Sequence, residues 1–594
     1  MEQLKHECGL ALVVLRKPVQ YYKERYGAGY ALDKLYLLME KQHNRGQEGA
    51  GAVCINSDGA FGSEFMFRER AEGSDAITKV FSAVEAQIAR GRREGTEPFS
   101  GNIYMGHLRY STTGRSGLSF VHPFLRRSSH KMRNLALCGN FNLTNVDELL
   151  TAMKCAGQHP RSSADTFVIL EQIGEALDEQ WRFAKKIDFA PVLREASPAW
   201  DGGYVICGAT GSGETFTLRD PWGVRTAFVY VGEEIVAVAS ERPVLQTAFN
   251  IDMNDIRELE PGEAVVTTAE GGVSFEQILP RKRFSACSFE RIYFSRGSDS
   301  AIYRERKSLG SLITPSVIEA LGGNLLDAVF SYIPNTAEVA FLGMVDALED
   351  CLNNEKAQAL EAGMSRERTH EILSRRIRME KVAIKDIKLR TFISDTERRK
   401  KLAAHVYDVT YGSLRPGQDT LVIIDDSIVR GTTLRESIIS ILARLGPREI
   451  VIISSAPQIR YPDYYGIDMP RLEELIAFRA AASLLEKSGR GGLLREVYER
   501  SKGQRGLPAE RVVNYVQDIY KPFTDGEIAD EIAAMLKPDS VRVGVKIIFQ
   551  SLDALHMACP DHPGDWYFSG DYPTPGGNRL VNEAFISYYE NNYK

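Results

Sequence analysis

Residues 420–424 (TLVII) followed by Asp425-Asp426-Ser427-Ile428-Val429-Arg430-Gly431-Thr432-Thr433 constrain this chain more than any other stretch. The apolar run is continuous rather than alternating, so the strand it forms is covered on both faces, as in a parallel sheet between helices. Residues 434–446 then have helical texture, and 449–457 (EIVIISSAP) are apolar again. Strand, loop, helix, strand is a βαβ unit of a parallel sheet. Two adjacent carboxylates at the end of a strand lie where open α/β sheets bind ligands. Gly431-Thr432-Thr433 adds backbone N–H groups and hydroxyls at a helix N-terminus, which is an anion site. The carboxylates do not suit a phosphate; they suit ribose hydroxyls or a hard cation such as Mg²⁺. A capped helix after a buried strand would explain a lone Asp-Asp, but not the complete string in this context.

Upstream the texture differs. Between residues 8 and 280, short β-rich runs are broken by Gly, Asn and Asp: GLALVVL, NIYMGHLRY, RNLALCGNFNL, GGYVICGATGSGETFTLRD and AFVYVGEEIVAVAS. Such runs predict packed antiparallel sheets. The stretches ALDKLYLLMEKQHNRG and DTFVILEQIGEALDEQW between them predict helices. The texture shifts near residue 281, and 594 residues exceed one ordinary core. Two domains are expected, 8–280 and 281–594. Residues 345–380 read as a charged helical insertion. Residues 482–508, basic and Gly-rich, read as a solvated loop rather than a binding patch.

A net charge of −6 argues against a nucleic-acid partner, whose footprint is basic. No apolar run is long enough for a membrane helix, and the first ten residues lack a secretory core, so no membrane partner and a cytoplasmic location are expected. The eight cysteines are scattered and form no CxxC pair, which speaks against a disulfide framework or a cysteine-only metal site.

Four further strings carry chemistry. Cys8-Gly9-Leu10 opens the first strand. Arg45-Gly46-Gln47-Glu48-Gly49-Ala50-Gly51 follows a helix. Gly106-His107-Leu108-Arg109-Tyr110-Ser111-Thr112-Thr113-Gly114 and Cys138-Gly139-Asn140-Phe141-Asn142-Leu143-Thr144-Asn145 each follow a strand. In order and spacing they resemble the class II (N-terminal nucleophile) glutamine amidotransferase domain. The Asp425–Thr433 loop resembles the phosphoribosyl-diphosphate loop of type I phosphoribosyltransferases. Further strings match as well: Arg219-Asp220-Pro221-Trp222-Gly223-Val224-Arg225, Phe289-Glu290-Arg291-Ile292-Tyr293-Phe294, Arg390-Thr391-Phe392-Ile393, Tyr465-Gly466-Ile467-Asp468-Met469 and Gly570-Asp571-Tyr572-Pro573. Together they make the chain, from about residue 8 to 580, resemble the amidophosphoribosyltransferase family.

The resemblance implies a four-layer N-terminal nucleophile hydrolase sandwich followed by an α/β phosphoribosyltransferase domain. It implies transfer of glutamine-derived ammonia to 5-phosphoribosyl 1-diphosphate, giving 5-phosphoribosylamine in the first step of purine synthesis. Cys8 would be the nucleophile, freed by removal of a propeptide 1–7 so that its α-amine serves as base. Arg109 would hold the glutamine α-carboxylate and Asp165 its α-ammonium. Asn140 and the N–H of Phe141 would form the oxyanion hole. Asp425, Asp426, Ser427, Arg430, Gly431, Thr432 and Thr433 would bind phosphoribosyl diphosphate, with Lys385, Lys388 and Arg390 on a closing loop. Thr336, Asp425 and Asp426 would hold Mg²⁺. The family further implies purine-nucleotide inhibitors and a homodimer or homotetramer.

Three positions depart from the family pattern: Phe141 where glycine is usual, Phe167 where an acidic residue is common, and Asn335 in Pro334-Asn335-Thr336-Ala337, where the family has an aspartate. Some relatives carry an iron–sulfur cluster. Cys287 is kept here, but Asp463-Tyr464 and residues 567–570 lack the partner cysteines, so no cluster is expected. The departures also leave room for a non-catalytic sensor of phosphoribosyl diphosphate. The Asp425–Thr433 loop argues against a sugar-phosphate or glutamate synthase relative, whose acceptor domain has no use for it.

Overall fold

The computed structural model describes residues 8–60, 62–110, 117–184, 186–363, 365–385, 407–467, 469 and 471–593. The first half is built on two antiparallel sheets. The seven-stranded sheet runs, edge to edge, Ile256–Glu258, Phe228–Val231, Ile235–Ala239, Gly9–Leu15, Ile103–Arg109, Gly49–Ile55, Met66–Glu72. The six-stranded sheet runs Val273–Gln277, Glu263–Thr267, Thr215–Arg219, Gly202–Thr210, Leu135–Leu143, Phe124–Arg126.

The alternation of a strand sets the layers. Leu10, Leu12 and Val14 point inward and meet Cys138, Val205 and Cys207 of the opposite sheet. Ala11 and Val13 point outward, under Leu35 and Leu38 of the helix Tyr30–Lys41 and Val80 and Val84 of Ala76–Glu94. On the other flank, Leu137, Ile206 and Leu218 pack beneath Val168 and Ile173 of the helix Asp165–Phe183 and Leu193 of Phe189–Ala196. The result is helix, sheet, sheet, helix: the expected four-layer α+β sandwich.

The second half centres on a five-stranded sheet in the order Arg378–Met379, Ala328–Tyr332, Thr420–Asp425, Glu449–Ser454, Gly544–Phe549, every pair parallel. In chain order this is 2-1-3-4-5, a doubly wound arrangement. Leu421 and Ile423 face Ile438, Leu442 and Phe478 on one side. Val422 and Ile424 face Val317, Phe341 and Met344 on the other. Both faces are covered, which is why residues 420–424 are apolar without alternation.

The insertion 345–380 is helical where expected, in Glu338–Glu361 and Arg366–Ser374, and Arg378–Met379 then adds the edge strand. The reading of 482–508 as a solvated loop is corrected. Helix Ile476–Lys487 runs into this stretch and Gly492–Lys502 lies within it. Leu494, Val497 and Tyr498 of the latter are buried, and Tyr498 stacks on Tyr589 of the last helix, Pro575–Tyr593. The glycines and basic residues there cap and solvate helix ends; apolar residues spaced three and four apart fix the buried face. No described helix is long and apolar enough to cross a membrane.

Candidate functional site

One cavity of about 330 Å³ in the first half is lined by Cys8, Arg109, Phe141 and Asp165, together with Tyr110, Phe120, His122 and Thr166. Register explains the meeting. Gly9 pairs with Leu108 in antiparallel strands, so the residue before Gly9 stands opposite the residue after Leu108: Cys8 faces Arg109. Cys8 Sγ lies 3.8 Å from the Tyr110 carbonyl oxygen. The Arg109 guanidinium sits over the Phe120 ring, 5.6 Å from its centroid. Asp165 opens the helix Asp165–Phe183, where a carboxylate opposes the helix dipole favourably. Asn140, beside Phe141 in the strand Leu135–Leu143, is buried.

Burial pushes the Cys8 thiol up to about 11, against the lowering effects of the Tyr110 hydrogen bond and the Arg109 charge. At neutral pH the sulfur therefore keeps its proton, and a nucleophilic Cys8 requires a base beside it.

The second site lies in the parallel sheet. Its topological switch point falls between Ala328–Tyr332 and Thr420–Asp425, the two strands from which the winding departs in opposite directions. The loop after the first carries Pro334-Asn335-Thr336. The loop after the second runs from Asp426 to Thr433 and leads into the helical residues 434–443. Asp426 accepts from the Ser427 hydroxyl at 3.1 Å and is hydrogen-bonded by the Thr336 side chain. Burial raises the Asp426 carboxyl to about 6, while Ser427, the Arg306 guanidinium and Thr336 pull the other way. Asp425 Oδ1 accepts the Asp426 N–H at 3.0 Å. Gly431 has φ +73°, the left-handed turn that delivers Thr432 and Thr433 to the helix start.

Arg430 departs from the simple picture: its Nε and Nη2 donate to Glu474 at 2.8 and 2.5 Å. Lys385 ends the ribbon Ala383–Lys385, paired with Tyr407–Val409. That ribbon brackets 386–406, so Lys388 and Arg390 lie outside the described residues, as does the stretch 1–7. Thr336, Asp425 and Asp426 offer two carboxylates and a hydroxyl. Among the described residues no group of three or more His, Cys, Asp or Glu could hold a metal ion. A two-carboxylate corner suits an ion that keeps waters and substrate phosphates as further ligands, as Mg²⁺ does.

The halves are joined beside the first site. Asn142 Nδ2 donates to the Tyr464 carbonyl at 2.6 Å, and Arg225 Nε to the Tyr465 carbonyl at 3.0 Å. Asp463 shapes that loop, accepting from the N–H groups of Tyr465 and Ile467 and from Trp566 Nε1. Arg45 bridges Glu241 (2.7 Å) and Glu290 (2.6 Å), all three fully buried. Sequence reasoning found the motifs around Arg45, Asn142 and Arg225 but gave these residues no role. It also passed over His107, His122 and Arg306. A residue's partner across the chain leaves no local signal; the one available hint was a charged residue inside a glycine-rich motif.

No protein-family model matches the chain. The amidophosphoribosyltransferase of Bacillus subtilis is 30% identical over 448 residues, covering 74% of this chain and 80% of that protein. The chain belongs to the amidophosphoribosyltransferase family. The family's Pasteurella multocida member is 27% identical over 483 residues, with 79% and 83% covered. Arabidopsis thaliana amidophosphoribosyltransferase 3, chloroplastic, is 28% identical over 494 residues, with 82% and 78% covered. The solved glutamine phosphoribosylpyrophosphate amidotransferase from B. subtilis, complexed with ADP and GMP, superposes with a TM-score of 0.63 at 24% identity, over 96% of this chain and 97% of that one. The shared fold of this family accounts for both halves seen here.

Proposed function

We propose that this chain catalyses the family reaction, the first step of de novo purine synthesis. Glutamine, 5-phosphoribosyl 1-diphosphate and water give 5-phosphoribosylamine, glutamate and diphosphate. The observation that carries the reading is the cavity gathering Cys8, Arg109, Phe141 and Asp165 in a chain whose second half sets Asp425, Asp426 and Thr336 around a sheet switch point. Residues 8–280 form the glutaminase half and 281–594 the transferase half.

In this reading the chain is cut before Cys8. The freed α-amine, which titrates near pH 8, takes the thiol proton that burial otherwise retains. The thiolate attacks the amide carbon while Asn140 and the Phe141 N–H receive the developing oxyanion. Arg109 grips the α-carboxylate and Asp165 the α-ammonium. Ammonia leaves, and water cleaves the thioester to glutamate. Phenylalanine at 141 supplies the same backbone donor as glycine. Ammonia then displaces diphosphate at the anomeric carbon of a substrate whose phosphates lie on Gly431, Thr432 and Thr433 and whose ribose meets Asp425 and Asp426, with Ser427 and Arg430 beside them. The family resemblance gives Lys385, Lys388 and Arg390 the role of binding the diphosphate; the last two lie outside the described residues. Thr336, Asp425 and Asp426 would hold Mg²⁺, which when bound neutralises charge on the leaving diphosphate.

Purine nucleotides are the expected inhibitors, a reading supported by the solved relative complexed with ADP and GMP. A cytoplasmic homodimer or homotetramer without an iron–sulfur cluster completes the reading. For the last point, Cys287 Sγ lies 3.3 Å from Tyr567 Oη, and Asp463 accepts a hydrogen bond from Trp566 Nε1.

The test is Cys8→Ala, assayed with glutamine and with ammonium salts. Loss of glutamine-driven phosphoribosylamine with retention of the ammonia-driven reaction is expected, and the parent enzyme's mass should begin at Cys8. Tight binding of phosphoribosyl diphosphate with no turnover from either nitrogen source would make the chain a sensor instead.

A further inference from the structure

The strand Leu135–Leu143 is paired along its whole length on one edge, by Gly202–Thr210. On the other edge its neighbour Phe124–Arg126 covers only Leu135–Leu137. Continuing that register, Gly139 stands opposite His122, but the ladder has ended at Pro123, which has no N–H to offer. The outward N–H and C=O of Gly139 would be left without strand partners inside the protein, a costly arrangement.

Two imidazoles take the place of the missing strand. The Gly139 N–H donates to His122 Nδ1 at 3.3 Å, and His107 Nε2 donates to the Gly139 carbonyl at 2.9 Å. The rings stack with centroids 4.1 Å apart and planes inclined by 24°. These bonds set the tautomers. His122 accepts at Nδ1, so its proton is on Nε2, which lies 2.9 Å from Thr166 Oγ1 and donates to it. His107 carries its proton on Nε2, and its buried Nδ1 has no hydrogen-bond partner among the described residues. Both rings are neutral, for burial holds His107 near 3 and His122 well below the usual range. Gly139 itself admits no side chain: a Cβ there would lie 2.5 Å from the Val205 carbonyl oxygen and 2.7 Å from the Phe141 ring.

The Gly139 carbonyl and the Asn140 nitrogen belong to one rigid peptide plane. Whatever fixes that plane fixes the approach to Asn140 and Phe141. Thr166 follows Asp165 directly, at the start of the helix Asp165–Phe183.

We infer that the stacked pair His107–His122 is the positioning element of the glutamine pocket, locking the peptide before Asn140 and, through Thr166, the helix start that carries Asp165. The inference rests on reading this pocket as the glutaminase site. The two ends of the substrate are bound by different elements, one a strand and one a helix, and His122 is the side chain hydrogen-bonded to both. His107 touches the strand end alone. Displacing an oxyanion donor slows turnover about a hundredfold or more, so small errors in this plane are consequential.

The two histidines predict different kinetic signatures, measured as glutamine hydrolysis by the full-length processed enzyme. His107→Met removes the bond to the Gly139 carbonyl and should lower kcat about tenfold or more with KM little changed. His122→Leu cuts both ends and should lower kcat and raise KM. Glutamine at either position offers an N–H donor, and at 122 also an acceptor, so His107→Gln and His122→Gln should recover most of the loss. His122→Asn keeps the acceptor for Gly139 but falls short of Thr166, so it should raise KM with less effect on kcat. Ammonia-driven synthesis should be unchanged throughout, which separates positioning from general disruption. Should the apolar variants not fold, the comparison at 122 decides: a glutamine KM equal in the Asn variant, the Gln variant and the parent overturns the inference. So does His107→Met or His122→Leu with parental kcat and KM. A parent enzyme that makes phosphoribosylamine from ammonia yet cannot hydrolyse glutamine overturns the reading of the pocket, and the inference with it.

Discussion

Single residues in this chain are tuned chiefly by dryness. His562 is a clear case: it is 7% exposed, and neither ring nitrogen has a hydrogen-bond partner among the described residues. Burial, with Arg291 and Arg219 nearby, holds its imidazole down to about 3. The unfolded ring takes a proton below about pH 6.5, whereas the folded one resists it until about 3. Stability from this group is therefore complete above pH 6.5 and is lost progressively as pH falls toward the folded value. The slope approaches about 1.4 kcal/mol per pH unit for each such histidine. His562→Leu should flatten the fall in urea midpoint between pH 6.5 and 5 relative to the parent. An unchanged slope would mean that the ring titrates normally. None of this was legible beforehand, because His562 sits in an unremarkable Asp-His-Pro turn and only the packing around it removes the water.

At the scale of elements, what joins the pieces is buried charge. Arg45 follows the helix Tyr30–Lys41 and lies between Glu241, just before the helix Arg242–Phe249, and Glu290, in the helical turn Glu290–Phe294 near the start of the second half. Burial works against the guanidinium charge, and the two carboxylates outweigh it, holding Arg45 well above its ordinary value. Arg45→Leu would strand both carboxylates in a dry site and should cost about 3–5 kcal/mol, read as a lower urea midpoint. Arg45→Lys should recover part of this, since an ammonium is a point charge and does not span two carboxylates as a planar fork does. The secondary structure itself was readable with good fidelity. The β-rich runs broken by Gly, Asn and Asp between residues 8 and 280 gave the antiparallel sheets, and the unbroken apolar run 420–424 gave the parallel strand. The stretch 482–508 was misread because its glycines and basic residues outnumber Leu494, Val497 and Tyr498, the few residues that decide its burial.

The two halves of the molecule meet beside the first cavity, which Asn142 helps to line. Asn142, two residues beyond Asn140, reaches the Tyr464 carbonyl, and Arg225 reaches that of Tyr465. Arg225→Leu deletes the guanidinium and leaves the Tyr465 carbonyl without its charged donor, a loss of about 1.5–3 kcal/mol for each such bond. It should loosen the seam more than either pocket. Less phosphoribosylamine per glutamate formed is expected, with glutamine hydrolysis and ammonia-driven synthesis each near parental rates. A parental product ratio would show that nitrogen does not pass along this boundary. In the sequence, the Asp425–Thr433 loop pointed to one candidate site, and the strings at Cys8, Arg109 and Asn140 pointed to the other. The seam went unseen because it is made by backbone carbonyls, which every residue possesses and no motif records.

The last helix, Pro575–Tyr593, returns to the front of the molecule. The Gly576 N–H donates to Asp201, and Arg579 donates to the Thr144 carbonyl, four residues past Asn140. The end of the strand that carries Asn140 is thus braced from 435 residues downstream. Removing the last helix would take both hydrogen bonds away at once and leave that strand end held by the first half alone, through Thr144 and Asp201.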